Sequence, residues 1–358
     1  MTLASPRRLV THPLAALLAL FVASRALGFA VGVRFSLFPL EWYWQYLPVD
    51  WLRHDLARGL YYMHDQPPLF NAYLGLVLKA CPGHEALAFQ VSYLALSLAF
   101  LATLYGLQRR LGVDRWIAAG LVACFMLAPA TLLYENWLFY AYPTAALLAF
   151  GALALAGYLE RRTFGRALAF FGVLAVLALT RSMYHLVWLG GIAAWLAWAL
   201  PAERRRVLLA AVGPLLLVAL WYAKNLLVFG MFSASSSVGM SFAKLSLGES
   251  RREQREAFHA AGLISDLAVV GPWRPLALYP PAYWQLPPTG ISLLDAPLKP
   301  SGEPNFHHLA YVGIARQFGR DAVAVVRTHP EIYLKGVGKA FLTYLRPASE
   351  YMLLVENR

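Results

Sequence analysis

The sequence predicts an all-α, polytopic membrane protein. Of its 358 residues, 59% are hydrophobic and 14% are charged, whereas soluble domains carry roughly 25% charged residues. Apolar runs near the length of about 20 residues that a membrane helix needs recur through the first two thirds of the chain. Arginine clusters separate these runs, as the positive-inside rule expects. This distribution accounts for the net charge of +12 without a nucleic-acid partner.

The apolar runs predict about seven transmembrane helices, at residues 13–33, 86–107, 116–134, 140–159, 167–183, 185–200 and 207–223. The basic clusters between them mark the cytoplasmic side: Arg7-Arg8, Arg109-Arg110 with Arg115, Arg161-Arg162 with Arg166, and Arg204-Arg205-Arg206. The N-terminus is therefore expected in the cytoplasm, and the second to seventh spans form out-and-back pairs.

The same count of crossings makes residues 35–85 one long outer loop. Its apolar run Leu69–Ala80 has about a dozen residues, too few to cross, and favours an interfacial helix. Residues 49–60 show helical spacing of polar and apolar side chains and predict one amphipathic helix. Between the two lies YYMHDQPPLFNAYL (Tyr61–Leu74), in which Pro67 and Pro68 are expected to separate two helices.

The organisation expected from these patterns is a transmembrane domain at 1–223 and an outer, membrane-associated region at 224–358. The second region lacks an apolar run long enough to cross, and Asp321–Ala348 is expected to hold one or two helices. The serine run Ser233–Ser237 is typical of a flexible loop, and residues 271–304 are proline-rich. The abrupt end at Arg358 leaves open a further C-terminal membrane segment. Two cysteines are too few for a disulfide framework.

Uncommon polar residues collect on the predicted outer side, which points to chemistry there. A carboxylate beside a partly desolvated site can act as a general base, and the candidates are Asp50, Asp55 and Glu135, each also readable as a solvated acid. Arg181 and His185 are four residues apart, so they share a face if the helix continues, and arginine suits phosphate.

Lys224 and Asn225 follow the last predicted span, and Lys224 is a candidate second phosphate contact. His307-His308 could hold a divalent ion, although adjacent histidines are more often hydrogen bonded. Nucleotide-binding glycine motifs, GxSxG and HExxH are absent from the sequence, which disfavours a cytosolic-type nucleotide site, a serine hydrolase and a zincin.

Several segments resemble the GT-C glycosyltransferases, the polytopic enzymes that include protein O-mannosyltransferases and lipid A aminoarabinose transferases. They are HDQPPLFN (His64–Asn71), YENWLFYAYP (Tyr134–Pro143), TRSMYH (Thr180–His185), WYAKN (Trp221–Asn225) and KPSGEPNFHHLAY (Lys299–Tyr311). The resemblance covers about the first 240 residues, plus the last segment, and is to an uncharacterised bacterial branch.

The resemblance implies a GT-C-like fold in the bacterial cytoplasmic membrane, with the active site on the periplasmic or extracellular face. It implies transfer of a sugar from a polyprenyl-phosphate donor to a lipid, glycan or protein acceptor, with no required cofactor and an optional divalent metal. The candidate substrate contacts are His54, His64, Gln66, Asn71, Tyr140, Arg181, His185, Lys224 and Asn225.

The catalytic acid of such enzymes usually lies early in the first outer loop, often in an acidic pair. Here Glu41 is isolated among aromatic residues, so the ranking is Asp50, then Asp55, then Glu135, with Glu41 behind and Asp65 expected to be less favoured. Two other classes stay open: a lipid or small-solute transporter, to which Arg25 inside the first span would be suited, and a non-catalytic subunit of an envelope-assembly complex.

Overall fold

A computed structural model of the protein describes residues 12–346. Arg7-Arg8 and the chain end at Arg358, both used in the sequence predictions, lie outside this range. Within it the chain forms helices and loops, and extended pairing is confined to the isolated bridges Ser36–Trp137 and Leu298–Pro304.

The α-helices follow one another along the described chain, in order α1 (Pro13–Ala30), α2 (Pro39–Trp42), α3 (Val49–His54), α4 (Leu56–Tyr62), α5 (Leu69–Ala80), α6 (Glu85–Arg110), α7 (Arg115–Leu127), α8 (Pro129–Glu135), α9 (Ala141–Glu160), α10 (Phe164–Thr180), α11 (Leu186–Ala199), α12 (Arg204–Phe229), α13 (Val238–Leu247), α14 (Arg252–Ala260), α15 (Asp266–Val270), α16 (Ser292–Asp295), α17 (Ala310–Thr328) and α18 (Pro330–Tyr344). Short 3₁₀ turns occur at Pro201–Glu203, Leu276–Leu278 and Pro281–Tyr283.

The described chain divides into two compact units. The first contains residues 12–40 and 76–219, and the second contains Glu41–Gly75 and Leu220–Arg346. These units combine chain segments differently from the predicted domains 1–223 and 224–358, because most of the expected outer loop folds with the C-terminal region.

Four helical segments in the described range are long and apolar enough to cross a membrane: α1, α6, α9 and the continuous stretch Pro201–Phe229. The pair α7 and α8 makes a fifth if it counts as one span, although it bends by 62° where Pro129 begins the second helix. The predicted spans 167–183 and 185–200 form helices of 17 and 14 residues, shorter than the about 20 residues typical of a membrane-spanning helix. The predicted count of seven is therefore not confirmed.

The apolar helices of the first unit bury little of their own surface. In the most apolar stretch of each long helix, between 17% and 39% of residues are buried in the protein. A small core joins Leu17 and Phe21 of α1 to Leu101 of α6 and to Val122 and Met126 of α7. Long helices that leave most of their apolar side chains outward suit a lipid environment, so the protein is membrane-embedded.

The predicted interfacial segment is helical, with one correction. Residues 49–60 do not form a single helix: α3 ends at His54, and Asp55, with φ −134° and ψ 44°, separates it from α4. Aspartate is unfavourable inside a helix because its side chain competes for backbone hydrogen bonds. The proline pair lies between α4 and α5 as predicted, and α5 spans Leu69–Ala80.

The second unit has its own hydrophobic core, built from the helices after α12. Met240 and Leu247 of α13 pack with Leu267 of α15 and with Tyr311 and Phe318 of α17. The helices expected within Asp321–Ala348 are α17, which begins earlier at Ala310, and α18.

Candidate functional site

The HDQPP motif lies at a buried joint of the second unit. Helix α4 ends at Tyr62 and α5 begins at Leu69, so residues 63–68 form the connection. His64, Asp65 and Gln66 are 0%, 1% and 7% exposed. Since charged and polar side chains are rarely buried without partners, the contacts of this connection identify what the motif does.

His64 is held as a neutral imidazole by two hydrogen bonds. Its Nε2–H donates to the carbonyl oxygen of His307 at 2.9 Å, because a carbonyl can only accept, and its Nδ1 accepts from Oγ of Ser236 at 2.8 Å. Burial is the largest influence on the ring and lowers its pKa to about 4, although the charge of Asp65 acts in the opposite direction. The neutral form is thus the one the fold accommodates.

Asp65 forms a buried pair with His307. Oδ1 of Asp65 lies 2.7 Å from Nδ1 of His307, while Nε2–H of His307 donates to the carbonyl of Tyr46 at 2.9 Å. A contact this short between an oxygen and a nitrogen requires a proton between them. The pair is therefore either imidazolium and carboxylate or imidazole and carboxylic acid.

The side chains of Lys299 and Asn71 hold the backbone of residues 43–47 next to this pair. The buried Lys299 donates from Nζ to the carbonyls of Tyr43 at 2.6 Å and Tyr46 at 2.8 Å. Burial lowers the Lys299 pKa to about 8, against the opposite effect of Asp65 and Glu303. Asn71 accepts from the Leu47 amide and donates to the carbonyl of Gln45. Its amide is thus occupied by backbone, and its predicted substrate contact stays a prediction.

The serine run Ser233–Ser237 is hydrogen bonded to the HDQPP motif. Ser236 N–H donates to the His64 carbonyl at 2.8 Å, and Ser235 Oγ donates to the Asp65 carbonyl. Asn225 Nδ2 donates to the carbonyl of Ser233 at 2.7 Å. The run therefore closes over His64 and Asp65 instead of forming the flexible loop that its composition predicts.

The ammonium group of Lys224 contacts other groups of the protein. Its Nζ donates to the carbonyl of Met63 at 2.5 Å and lies 3.6 Å from the ring centroid of Trp221. It also interacts electrostatically with Asp65. Lys224 therefore supports the motif through its hydrogen bond to the Met63 carbonyl, while its predicted phosphate contact stays a prediction.

We call His64, Asp65, Ser236, Lys299 and His307 the Asp65 cluster. Oδ2 of Asp65 is buried and has no hydrogen-bond partner among the described residues, and Oδ1 has only the 2.7 Å contact with Nδ1 of His307. A carboxylate held at one oxygen and unbonded at the other can accept a proton from a hydroxyl group brought to it. This is the chemistry the arrangement offers.

The acids ranked first from the sequence are more exposed. Asp50 is exposed on α3, and His54 is exposed at its end. Asp55 leaves 46% of its side chain exposed and faces Arg58 at 3.6 Å. Partial exposure and a surface cation give these acids an ordinary solvated environment. Asp65 differs from both in being buried, with Oδ2 unbonded among the described residues.

Glu135, in the first unit, is bound by Arg25. Oε1 accepts from Nε of Arg25 at 2.9 Å, and Oε2 accepts from Nη2 at 2.6 Å. The carboxylate is 1% exposed, and the arginine side chain is 10% exposed. Arg25 lines a cavity of about 400 Å³ whose remaining lining is mainly apolar. Both carboxylate oxygens of Glu135 are thus engaged by Arg25.

Arg181 and Tyr140 meet in the first unit, but Arg181 and His185 do not share a helix face. Helix α10 ends at Thr180, and His185 precedes α11 and accepts from the Trp188 amide at 3.2 Å. The Arg181 guanidinium lies 5.4 Å from the ring centroid of Tyr140. The predicted convergence of Asp50, Glu135 and Arg181 involves residues of both units and stays a prediction.

Residues that suggested metal binding have other partners. His307 bonds Tyr46 and faces Asp65, and Nδ1 of His308 accepts from the amide of Ala310 at 3.1 Å. The described residues contain no group of His, Cys, Asp and Glu side chains able to hold a metal ion.

Comparison with known proteins supplies no relative. The chain matches no protein-family model, no curated protein and no solved structure.

Sequence patterns missed the partners rather than the motif. The sequence marks His307 and Arg25 as unusual residues, but their partners Asp65 and Glu135 lie more than one hundred residues away along the chain. The usable signal was the local one: a histidine, an aspartate and a proline pair in an apolar sequence.

The neutral state of His64 predicts acid sensitivity. Below pH 6.5 an unfolded chain protonates this ring, whereas the folded protein resists until about pH 4, so the unfolded state binds more protons and stability falls as the pH falls. Between pH 6.5 and about 4, we expect the free energy of unfolding of wild type to fall by up to about 1.4 kcal/mol per pH unit more than that of His64→Asn. Denaturant titrations from pH 7 to 4.5 measure this, and parallel curves for the two proteins would contradict it.

Proposed function

We propose that the chain is a membrane glycosyltransferase that moves a sugar from a polyprenyl-phosphate donor to an acceptor hydroxyl. The observation that supports this best is the buried, unbonded Oδ2 of Asp65, next to an Oδ1 fixed by His307. The apolar helices fit a donor that enters from the bilayer. The donor class comes from the resemblance of the HDQPPLFN, YENWLFYAYP and TRSMYH segments to GT-C enzymes.

In this proposal Asp65 is the general base. Its Oδ2 takes the proton of the acceptor hydroxyl as the oxygen forms a bond to the anomeric carbon of the sugar. The bond from that carbon to the phosphate oxygen breaks, and the lipid phosphate leaves as an anion. His307 keeps the carboxylate oriented, since Tyr46 holds the opposite ring nitrogen. Arg181 is the proposed contact for the donor phosphate, because its guanidinium suits phosphate geometry.

The ion pair of the first span weighs against transport. Arg25 was the polar residue inside a predicted span that suited a transporter. Its charge is neutralised by Glu135 through two hydrogen bonds. The two side chains therefore bind each other rather than a transported solute. The enzyme is the better supported proposal.

Replacing Asp65 by asparagine tests the proposed base. The amide keeps the size of the side chain and can donate to Nδ1 of His307, but it cannot accept a proton. Because general bases contribute about 10²–10⁴-fold, we expect at least a 100-fold loss of turnover. The readout is release of polyprenyl phosphate from polyprenyl-phosphate hexose or pentose by membranes containing the protein.

Asp50→Asn is the matched control, because Asp50 is an exposed acid of the same unit. It should keep most of the activity, and thermal melting should show that both variants fold. Retained activity in Asp65→Asn, or loss of activity in Asp50→Asn alone, would contradict Asp65 as the base and favour Asp50 on α3. Absence of turnover by wild type with either donor would reject the function.

A further inference from the structure

A cavity of about 540 Å³ in the second unit has a strongly basic and aromatic lining. Among its lining residues are Trp44, Lys244, Arg255, Trp273 and Arg274, and the described lining contains no acidic side chain. None of these residues belongs to the Asp65 cluster or to the sites predicted from the sequence. We call these five residues the basic pocket.

Helix α13 supplies one wall through its periodicity. Ser241, Lys244 and Leu247 line the cavity, and residues three apart lie on one helix face. Lys244 and Arg274 are exposed, so their charges stand where a ligand from solvent would enter. A cavity with one sign of charge concentrates the opposite charge.

The opposite wall is a rigid loop. The hydroxyl of Tyr279 donates to the Gly271 carbonyl at 2.9 Å and accepts from the Arg274 amide at 3.2 Å, and the Tyr311 hydroxyl donates to the Arg274 carbonyl at 2.8 Å. Burial raises the pKa of Tyr279 to about 12, so this donor stays protonated.

The loop holds Trp273 in an unfavourable backbone conformation. Its φ is +63°, in the left-handed region that is unfavourable for a residue with a side chain. The strained turn brings the Trp273 ring to 4.2 Å from that of Trp44, measured between centroids. Backbone strain of this kind collects at ligand-binding positions, and the paired indoles offer an apolar wall.

Arg255 carries the observation that points to a missing ligand. Its Nη1 donates to the Ser250 carbonyl at 3.0 Å, which orients the guanidinium. Its Nε is buried and has no hydrogen-bond partner among the described residues. A buried donor without an acceptor is unfavourable, and the Arg255 side chain lines the cavity, so an anion there has a guanidinium to bind.

We propose that the basic pocket binds a phosphorylated saccharide. Arginine and lysine match phosphate by charge-assisted hydrogen bonds, and indole rings supply the flat apolar area on which the C–H face of a sugar ring packs. The role of this ligand as the acceptor of transfer rests on the proposed function, whereas its binding does not.

Equilibrium binding to the full-length protein in detergent tests the site. The probes are glucose 1-phosphate, inorganic phosphate, glucose and farnesyl phosphate. Titration calorimetry measures the affinity for each of them. We expect glucose 1-phosphate to bind, glucose and inorganic phosphate to bind at least tenfold more weakly, and Arg255→Gln to weaken glucose 1-phosphate at least tenfold. Arg255→Lys, which keeps the charge, should recover part of the affinity.

Arg252→Gln is the control on the same helix, since Arg252 is exposed and bonds Glu256 at 2.9 Å. It should leave the affinity unchanged. Absence of binding by wild type, equal loss in Arg252→Gln and Arg255→Gln, or equal affinity for inorganic phosphate would overturn the proposal. Arg255-dependent binding of farnesyl phosphate in place of glucose 1-phosphate would overturn it in favour of a lipid phosphate. Binding that persists in a chain without transferase activity would reject the function and keep the site.

Discussion

Glu135→Gln is expected to destabilise the first unit by about 3–5 kcal/mol, because it leaves the Arg25 guanidinium buried and charged. Arg25 also lies 4.3 Å from the ring centroid of Phe21 and donates to the Met126 carbonyl, but neither contact supplies a counter-charge. The measurement is the free energy of unfolding in detergent by denaturant titration.

The control for this prediction is Glu160→Gln, whose carboxylate makes an exposed pair with Arg110 at 3.5 Å. Surface pairs contribute about 0–1 kcal/mol, so its effect should be small. Replacing both partners, as Arg25→Met with Glu135→Leu, should recover most of the loss, since apolar side chains tolerate this environment. Equal effects in Glu135→Gln and Glu160→Gln would show that the buried pair carries no net stability.

Gly239→Ala is expected to destabilise the second unit by at least about 3 kcal/mol, as severe overpacking does. A methyl group at Gly239 would overlap the carbonyl oxygen of Ala315, and Gly319 N lies 2.9 Å from the same position. These atoms are backbone of α17, so relief requires the helices to separate rather than a side chain to rotate. Denaturant titration and the intrinsic tryptophan signal measure the effect.

Gly313→Ala on α17 is the matched control. Gly313 is exposed, and a methyl group there meets no atom within 4 Å. Alanine is about 0.8–1.0 kcal/mol better than glycine in a helix interior, so this variant should stabilise the protein. The two substitutions thus differ in sign, and a mild effect of Gly239→Ala would show that α13 and α17 pack less closely than described.

Much of the helical architecture was predictable because it depends on local pattern. The apolar run Leu69–Ala80 is α5, and the proline pair precedes it because proline fits a helix's start and not its interior. The break at Asp55 was missed, since the amphipathic spacing of 49–60 continues across a residue that favours helix ends. The two short helices after Arg162 were predicted as spans because their composition, and not their length, is that of membrane helices.

The site was predictable only in part. His64 and Gln66 were selected from their motif, and both are buried beside Asp65. The ranking of acids put exposed residues first, because burial depends on partners such as His307 that no local pattern connects to residue 65. No local sequence pattern distinguishes Arg255 and Arg274 from solvated arginines. Only the fold shows that they line a cavity.

The second unit joins a segment made early in synthesis to one made late. The hydrogen bond between His64 and the His307 carbonyl links residues 243 positions apart. At roughly 5–20 residues per second, a ribosome needs on the order of 10–50 s to deliver the second partner after the first. During that interval Asp65 lacks its contact with His307, and contacts of such long sequence separation form slowly. The contacts of the Asp65 cluster are therefore completed only after residue 307 has been made.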